Sequence, residues 1–435
     1  MKQKILDLIE KTKNSRLLLG SFWTIVGSGL SRVSLIIGSI ISANILGVEK
    51  YGEFGITRST INLVLTIAGL NVGVVLTKYI SEFRDKDKNK CAVLVTQNYI
   101  FVFMLTIFFS LVVYFSAPYL SSSILEAPQL VEEIKLSVFI LFFGITFPLN
   151  ESVYRGFEWF KQLGFIQILG SLTFIVFVPL GAHYYGVYGA LLGYLIYTIT
   201  MTLLTSFQLY NLLSKSNYSI FSVDKSIFKF KELIKFTLPV LLSSIVEAPF
   251  FWFSQVLLIK YAGMIENGKV GAILQMRNLI LIVPGYVSLV SLPLLSNALS
   301  SSNKEEFKNF FQKSVKINFA IATICVLPLI LFSSQVMLLF GKDFQVDFWV
   351  SFFAYISVPF LVIASVINQS LIAKGKGWIN FYISLIWNLL FLACIYYTIA
   401  IMKLGSLGYM VSLFIAIIIL ISLKYYFNSK KTDYA

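Results

Sequence analysis

Long apolar runs separated by short connections that carry lysine and arginine set the pattern of this chain. Runs at 18–45, 52–76, 92–115, 134–155, 164–182 and 186–209 are each long enough to cross a bilayer as a helix. A second set follows at 233–261, 270–295, 317–332, 348–373, 378–401 and 404–427. The pattern predicts an all-α integral membrane protein with 12 transmembrane helices, arranged as two six-helix lobes at 1–211 and 233–435. A cytoplasmic linker at 212–232 joins them.

The two sets repeat one another. Gly47, Gly52, Gly55 and Gly69 recur 216 positions later as Gly263, Gly268, Gly271 and Gly285. A second register pairs Gly156, Trp159, Gly186 and Gly189 with Gly375, Trp378, Gly405 and Gly408, at an offset of 219. Matches at nearly one offset imply a duplication of half the chain. Because six crossings return the chain to its starting side, the halves share an orientation, and a pseudo-two-fold along the membrane normal relates them.

Composition narrows the class. Of the 435 residues, 57% are hydrophobic and 13% charged, and the mean hydropathy is +0.81, so lipid is the solvent for most of the surface. Three dispersed cysteines and one histidine, His183, exclude a disulfide framework and a zinc site. The net charge of +14 is spread through the connections, which points to topology and not to nucleic acid. Placing the N-terminus inside puts 26 Lys and Arg on the cytoplasmic side, six outside and three within spans, so both termini are expected in the cytoplasm. The basic start followed by an apolar run reads as a retained helix, since the run is too long for a signal peptide.

The three cations within spans are Arg32, Arg58 and Arg277. An arginine at mid-membrane costs about 2.5–3.5 kcal/mol on insertion scales, so each should face a polar interior. Ser21, Thr24, Ser28, Ser31, Arg32, Ser39 and Ser42 share one stripe of the first helix, expected to line a hydrated path. Arg58, Asn62 and Thr66 align on the second helix; Arg277, Pro284, Ser288 and Ser291 align on the eighth. Cationic, hydroxyl-rich stripes suit an anionic head group, and the arginine fork suits phosphate oxygens. Arg32, Arg58, Arg277, Ser28 and Asn62 are therefore the candidate binding residues.

The competing reading pairs these arginines with deep carboxylates. Glu247, on the seventh helix with Ser243 and Ser254, and Glu151, one turn from Arg155, are the candidates for counter-charge or coupling. Coupling to protons, sodium or the membrane potential all stay open. Pro239, Pro249 and Pro284 could kink helices that move. Trp23 and Trp252 could stack on sugar rings, while Trp159 and Trp378 read as interfacial anchors. Residues 224–235 should lie on the inner leaflet. A phosphate-binding loop, a nucleophile–base set and a metal spacing are all missing from the sequence, which predicts no ATPase, no catalytic residue and no bound cofactor.

The stretch LGVEKYGEFG, followed by LTIAGLNVGVVLTKYISEFRDKDK and later RGFEWFK, resembles the polysaccharide repeat-unit flippases (O-antigen and capsule, Wzx-type) of the MOP, or MATE-like, exporter superfamily. The resemblance implies two lobes around a central cavity in the bacterial inner membrane. It implies that an undecaprenyl-pyrophosphate-linked oligosaccharide is moved from inner to outer leaflet by alternating access, alongside other polysaccharide-assembly membrane proteins. Peptidoglycan-precursor flippases of the superfamily carry cavity arginines on helices matching those of Arg32, Arg58 and Arg277; this chain lacks their extra pair of C-terminal helices. A monomer is expected, since two lobes complete the cavity. A MATE-type drug/cation antiporter would want carboxylates in excess of arginines, and a glycan polymerase or ligase a long outer loop. A 6+6 major-facilitator transporter would carry a Gly- and Arg-rich loop where this chain has EFRDKDKNK.

Overall fold

The computed structural model describes residues 16–69, 72–215, 230–282 and 304–429, which are almost wholly helical. In order they form α1 (Arg16–Gly69), α2 (Val72–Phe83), α3 (Lys88–Tyr119), α4 (Val131–Gly144), α5 (Thr146–Gly156) and α6 (Phe160–Lys215). Then come α7 (Phe230–Ala262), α8 (Met264–Ile280), α9 (Lys304–Leu331), α10 (Ser333–Leu338), α11 (Phe348–Ala373), α12 (Gly377–Ile395) and α13 (Gly405–Ser429). A π-helical turn, Tyr396–Ile401, follows α12. The N-terminal lysines, residues 224–229 of the expected surface segment at 224–235, and Pro284, Ser288 and Ser291 lie outside the described residues.

Seven helices among the described residues are long and apolar enough to cross a membrane. The chain is an all-α integral membrane protein, and α1 and α6 each carry two of the apolar runs. Their continuity is broken at Gly47 in α1 and at Tyr185–Gly186 in α6, where the backbone leaves helical geometry. The run at 134–155 is split at Ile145, because Pro148 has no N–H for the Gly144 carbonyl and its ring crowds that group. Lipid-facing chemistry is legible on α1, where Phe22, Ile25, Leu30, Val33, Ile37, Ile41 and Ile45 are exposed. Ser31, Ser39 and Ser42, on the opposite stripe, are buried, while Arg32 on the same stripe is exposed.

The chain divides into two compact units. The first comprises Met1–Ser39, Ile67–Ala117 and Glu132–Ile234. Its apolar core joins Leu76 and Ile80 of α2, Cys91 and Val95 of α3, Val153 and Tyr154 of α5, and Leu163, Ile166, Leu209 and Leu213 of α6. Asn150 knots this core, its Nδ2 donating to Thr205 Oγ1 (2.8 Å) and Ser206 Oγ (2.9 Å) while Tyr99 Oη donates to its carbonyl. Close helix approach is set by Gly27 and Gly164: a Cβ on Gly164 would stand 2.8 Å from the Trp23 carbonyl oxygen.

The second unit comprises Ile40–Thr66, Pro118–Val131 and Lys235–Ala435. Its core packs Ala364, Ile367 and Leu371 of α11 against Ile383 of α12 and Leu420 of α13. Glu266, in the first turn of α8, holds the start of α13: its Oε2 accepts the Ser406 N–H (2.8 Å) and its Oε1 accepts Lys269 Nζ (2.9 Å). A carboxylate at a helix N-terminus is favoured by the unpaired amides and the helix dipole.

The internal repeat is visible in backbone geometry. Gly47 (φ 76°, ψ 170°) and Gly263 (φ 90°, ψ 172°) make the same left-handed turn, 216 residues apart. Gly186 and Gly405 share positive φ, 58° and 53°, at 219. The loop between them does not follow the 219 register. The Trp159 N–H meets Tyr154 O and the Glu158 N–H meets Arg155 O, a Schellman ending with Glu158 left-handed at φ 62°. Its counterpart bonds Lys376 N–H to Leu371 O and Gly375 N–H to Ile372 O, with Gly375 at φ 69°, an offset of 217. Glu158, not Gly156, is thus the equivalent of Gly375, and Trp159 and Trp378 are not equivalent positions.

Two stability predictions follow the local chemistry. Gly375→Ala places a Cβ in a left-handed residue and should cost about 1–2 kcal/mol, read as a lower unfolding temperature in detergent. Burial opposes ionisation of Glu266, but the bonds from Ser406 and Lys269 outweigh it and hold the carboxyl below its usual range. A depressed carboxylate pKa adds stability above the unfolded value and loses it as pH falls through the folded one. Glu266→Gln should therefore destabilise at pH 7, with the gap to wild type closing below about pH 4 in pH-resolved thermal unfolding.

Candidate functional site

In the first unit, two residues chosen independently from the sequence meet through a third. Ser28 Oγ donates to Gln167 Oε1 (3.1 Å), and Gln167 Nε2 donates to Glu151 Oε1 (3.2 Å). Glu151 also accepts from Arg155 Nη2 at 2.7 Å, one helical turn away on α5. The ionised carboxylate accepts only, so the Gln167 amide must turn its NH₂ toward it and its carbonyl toward Ser28. Ser28 has one proton, and Gln167 takes it. What Ser28 offers to anything else is a lone pair, so it suits a hydroxyl or N–H donor and not a phosphate oxygen. Arg32, one turn further along α1, is exposed.

The second unit holds the other two arginines. Arg58 is half-buried with its guanidinium carbon 5.3 Å from the centre of the Phe54 ring, a cation–π distance, and Asn62 one turn on is exposed. Arg277 is 7% exposed, and its Nε donates to Ser357 Oγ at 2.9 Å. Ser357 in turn donates to Ala354 O (2.6 Å), leaving its lone pairs for the arginine. Tyr409 places its hydroxyl 2.9 Å from Ser254 Oγ. Arg277 is thus set into the packing of α8, α11 and α13, whereas Arg32 and Asn62 are open.

Of the two candidate carboxylates, Glu151 has Arg155, while Glu247 on α7 is exposed. Lys424 is buried and its Nζ lies 3.3 Å from Asn368 Oδ1. Among the described residues, neither Arg32 nor Arg277 has a carboxylate within ion-pair distance. No cluster of metal-ligating side chains occurs among the described residues.

Sequence reasoning missed Gln167 and Lys424. Gln167 is an amide inside an apolar run, a signal of the same kind as Asn62. Lys424 sits in the last turn of the final run and was assigned by charge bias to the aqueous side. Trp252 is corrected outright: the ring is buried and its Nε1 donates to Thr60 Oγ1 (2.9 Å), so it cannot stack on a sugar. Residues 374–378, KGKGW, form a helix clamp. Lys374 Nζ donates to Asn428 O (2.8 Å) and Lys376 Nζ to Phe427 O (3.0 Å), satisfying terminal carbonyls of α13.

Comparison with known proteins bears on this arrangement. A family profile described as polysaccharide biosynthesis protein matches residues 17–299. The chain belongs to that family. Capsular polysaccharide biosynthesis protein CapF of Staphylococcus aureus is 27% identical over 208 residues, 48% of this chain and 52% of CapF. The match thus spans about half the length of that relative. The family member's fold is that of MOP-superfamily transporters. A multidrug resistance MATE family transporter of the MOP superfamily in an inward-facing conformation aligns with TM-score 0.73 at 18% identity, over 93% of this chain and 97% of that one. A MOP superfamily transporter from Pyrococcus furiosus, described as having a binding pocket of reverse polarity, aligns with TM-score 0.65 at 19% identity, over 96% of both chains.

The setting of Arg277 is testable by itself. Ser357→Ala should remove its hydrogen-bonded partner and cost about 1.5–3 kcal/mol in thermal unfolding, while Ser357→Thr, which keeps the hydroxyl, should retain most of the stability.

Proposed function

We propose that this chain is a flippase that moves an undecaprenyl-pyrophosphate-linked oligosaccharide from the inner to the outer leaflet of the bacterial inner membrane. The observation that carries the reading is the ion pair of Glu151 with Arg155 at 2.7 Å, with neither Arg32 nor Arg277 having an acidic partner among the described residues. Membership of the polysaccharide biosynthesis family and the MATE-like fold support it. In this reading Arg32, Arg58 and Arg277 stabilise the diphosphate, which carries the charge that an apolar membrane most strongly rejects. Ser28, held as an acceptor by Gln167, and Asn62 take sugar hydroxyls. The polyprenyl tail stays in lipid while alternating access exposes the head group first to one side and then to the other. The lysine and arginine bias among the loops supports cytoplasmic termini.

Reconstitution in proteoliposomes with a lipid-linked oligosaccharide tests the reading. Wild type should translocate it, and Arg32→Ala, Arg58→Ala and Arg277→Ala should each slow transport about 10- to 100-fold, the scale of one charge-assisted bond. Ser28→Ala should alter preference among glycans more than overall rate. Undiminished transport by all three arginine variants overturns their role as head-group ligands. Proton-driven efflux of organic cations by a wild type that moves no lipid-linked substrate assigns the chain to the drug antiporters.

A further inference from the structure

One line of hydrogen bonds in the first unit joins four side chains that the internal repeat does not share. Ser28 on α1 donates to Gln167 Oε1 on α6 (3.1 Å), Gln167 Nε2 donates to Glu151 Oε1 on α5 (3.2 Å), and Arg155 Nη2 reaches that same oxygen (2.7 Å). Gln167 is buried, Ser28 and Glu151 are half-buried and Arg155 is exposed. The helix endings set the local repeat at 217, which matches Glu151 with Asn368, Arg155 with Ile372 and Gln167 with Ser384. In the second unit an amide, an alkyl group and a hydroxyl thus fill these places, and Asn368 Oδ1 faces a cation, Lys424 Nζ, at 3.3 Å. Packing of the duplicated helices therefore does not demand a carboxylate, a guanidinium or a glutamine there.

The carboxylate gives the line a direction. Turning the Gln167 amide over would set its carbonyl oxygen against a carboxylate oxygen, two acceptors with no proton between them. With Glu151 in place the amide is held one way, and the Ser28 proton is committed to it. We propose that Glu151, Arg155 and Gln167 are positioning residues of a glycan subsite at Ser28, which accepts a hydroxyl or amide N–H of the sugar and discriminates against the same sugar when that proton is missing. Of the four, only Ser28 touches the sugar. Glu151 acts through Gln167, and Arg155 acts by fixing the carboxylate. The glycan part rests on the flippase reading; the control of Ser28 by Glu151 does not.

Two measurements test the two parts. The first needs no cargo: Ser28→Cys, in full-length protein with Cys91, Cys325 and Cys394 replaced by alanine, puts a thiol at the subsite. The thiolate is the form that reacts with methyl methanethiosulfonate, a small neutral reagent, and it would face the Gln167 carbonyl. Glu151→Gln frees the amide to turn its NH₂ toward the sulfur, and labelling at pH 7 should speed about tenfold. The charged groups around the thiol are Glu151 and Arg155 on α5, Arg32 one turn along α1, and Lys161 on α6, 5.6 Å from the Trp23 ring. Loss of the Glu151 charge thus also acts directly, and that direct effect survives Gln167→Leu whereas the relayed one does not. The acceleration by Glu151→Gln should therefore fall to about twofold when combined with Gln167→Leu. Equal acceleration in both backgrounds, or a thiol that the reagent never labels, overturns the proposal. The second measurement follows translocation in proteoliposomes of lipid-linked oligosaccharides in which single sugar hydroxyls are replaced by fluorine, which removes the proton and nearly keeps the size. At one position or more, wild type should favour the hydroxyl form about tenfold, and Glu151→Gln should shrink that preference by speeding the fluorinated form. Equal slowing of both forms reduces Glu151 to a structural role and overturns the subsite. A wild type that moves no lipid-linked oligosaccharide overturns the flippase reading and the glycan subsite together, while the labelling cycle still decides whether Glu151 sets Ser28.

Discussion

The hydrocarbon core of a bilayer contains no hydrogen-bond partner, and that lack governs the arrangement of this protein. Polar groups in the spans must find partners within the chain or face a polar interior. Ser31, Ser39 and Ser42 turn inward while isoleucine, leucine and phenylalanine on the same helix turn out, which inverts the logic of a water-soluble helix. The same lack makes the breaks in the helices informative. Gly47, Gly186 and Gly263 interrupt long helical stretches only where the chain turns between spans.

Charges obey the constraint at higher stakes. Glu151 takes a cation one turn away on its own helix, a local solution that costs little chain entropy. Lys424 is buried on α13, and its bond to Asn368 ties that helix to α11. Arg277 is met by the neutral hydroxyl of Ser357, which moderates its burial without cancelling its charge.

Apolar run length made the membrane class and the all-helical fold legible, and the glycine register made the duplication legible. These signals survive because they depend on residue type at fixed spacing. The 219 register for Gly156 and Trp159 failed because identity was a poor guide to conformation: Glu158 adopts the left-handed geometry that Gly375 adopts in the other half. At the candidate site, Ser28 and Glu151 were visible as polar residues in apolar runs. Their linkage through Gln167 was not, because it depends on how α1, α5 and α6 pack. Trp252 misled for the same reason, since an indole bonded to Thr60 and an indole facing a sugar look identical in one dimension.

The drift in register has a material location. Gly189 packs on the Gly181 carbonyl, and Gly408 packs on Thr398, so the second half is still at 217 there; by Gly405 it is at 219. The two additional residues therefore lie between Thr398 and Gly405, where the π-helical turn Tyr396–Ile401 runs into the left-handed Lys403. A wider turn stores an inserted residue without rotating the helices on either side. That bulge is a scar of divergence between the halves. It marks where descendants of one ancestral half-length chain could grow apart in sequence length while the packing inherited from that ancestor stayed in place.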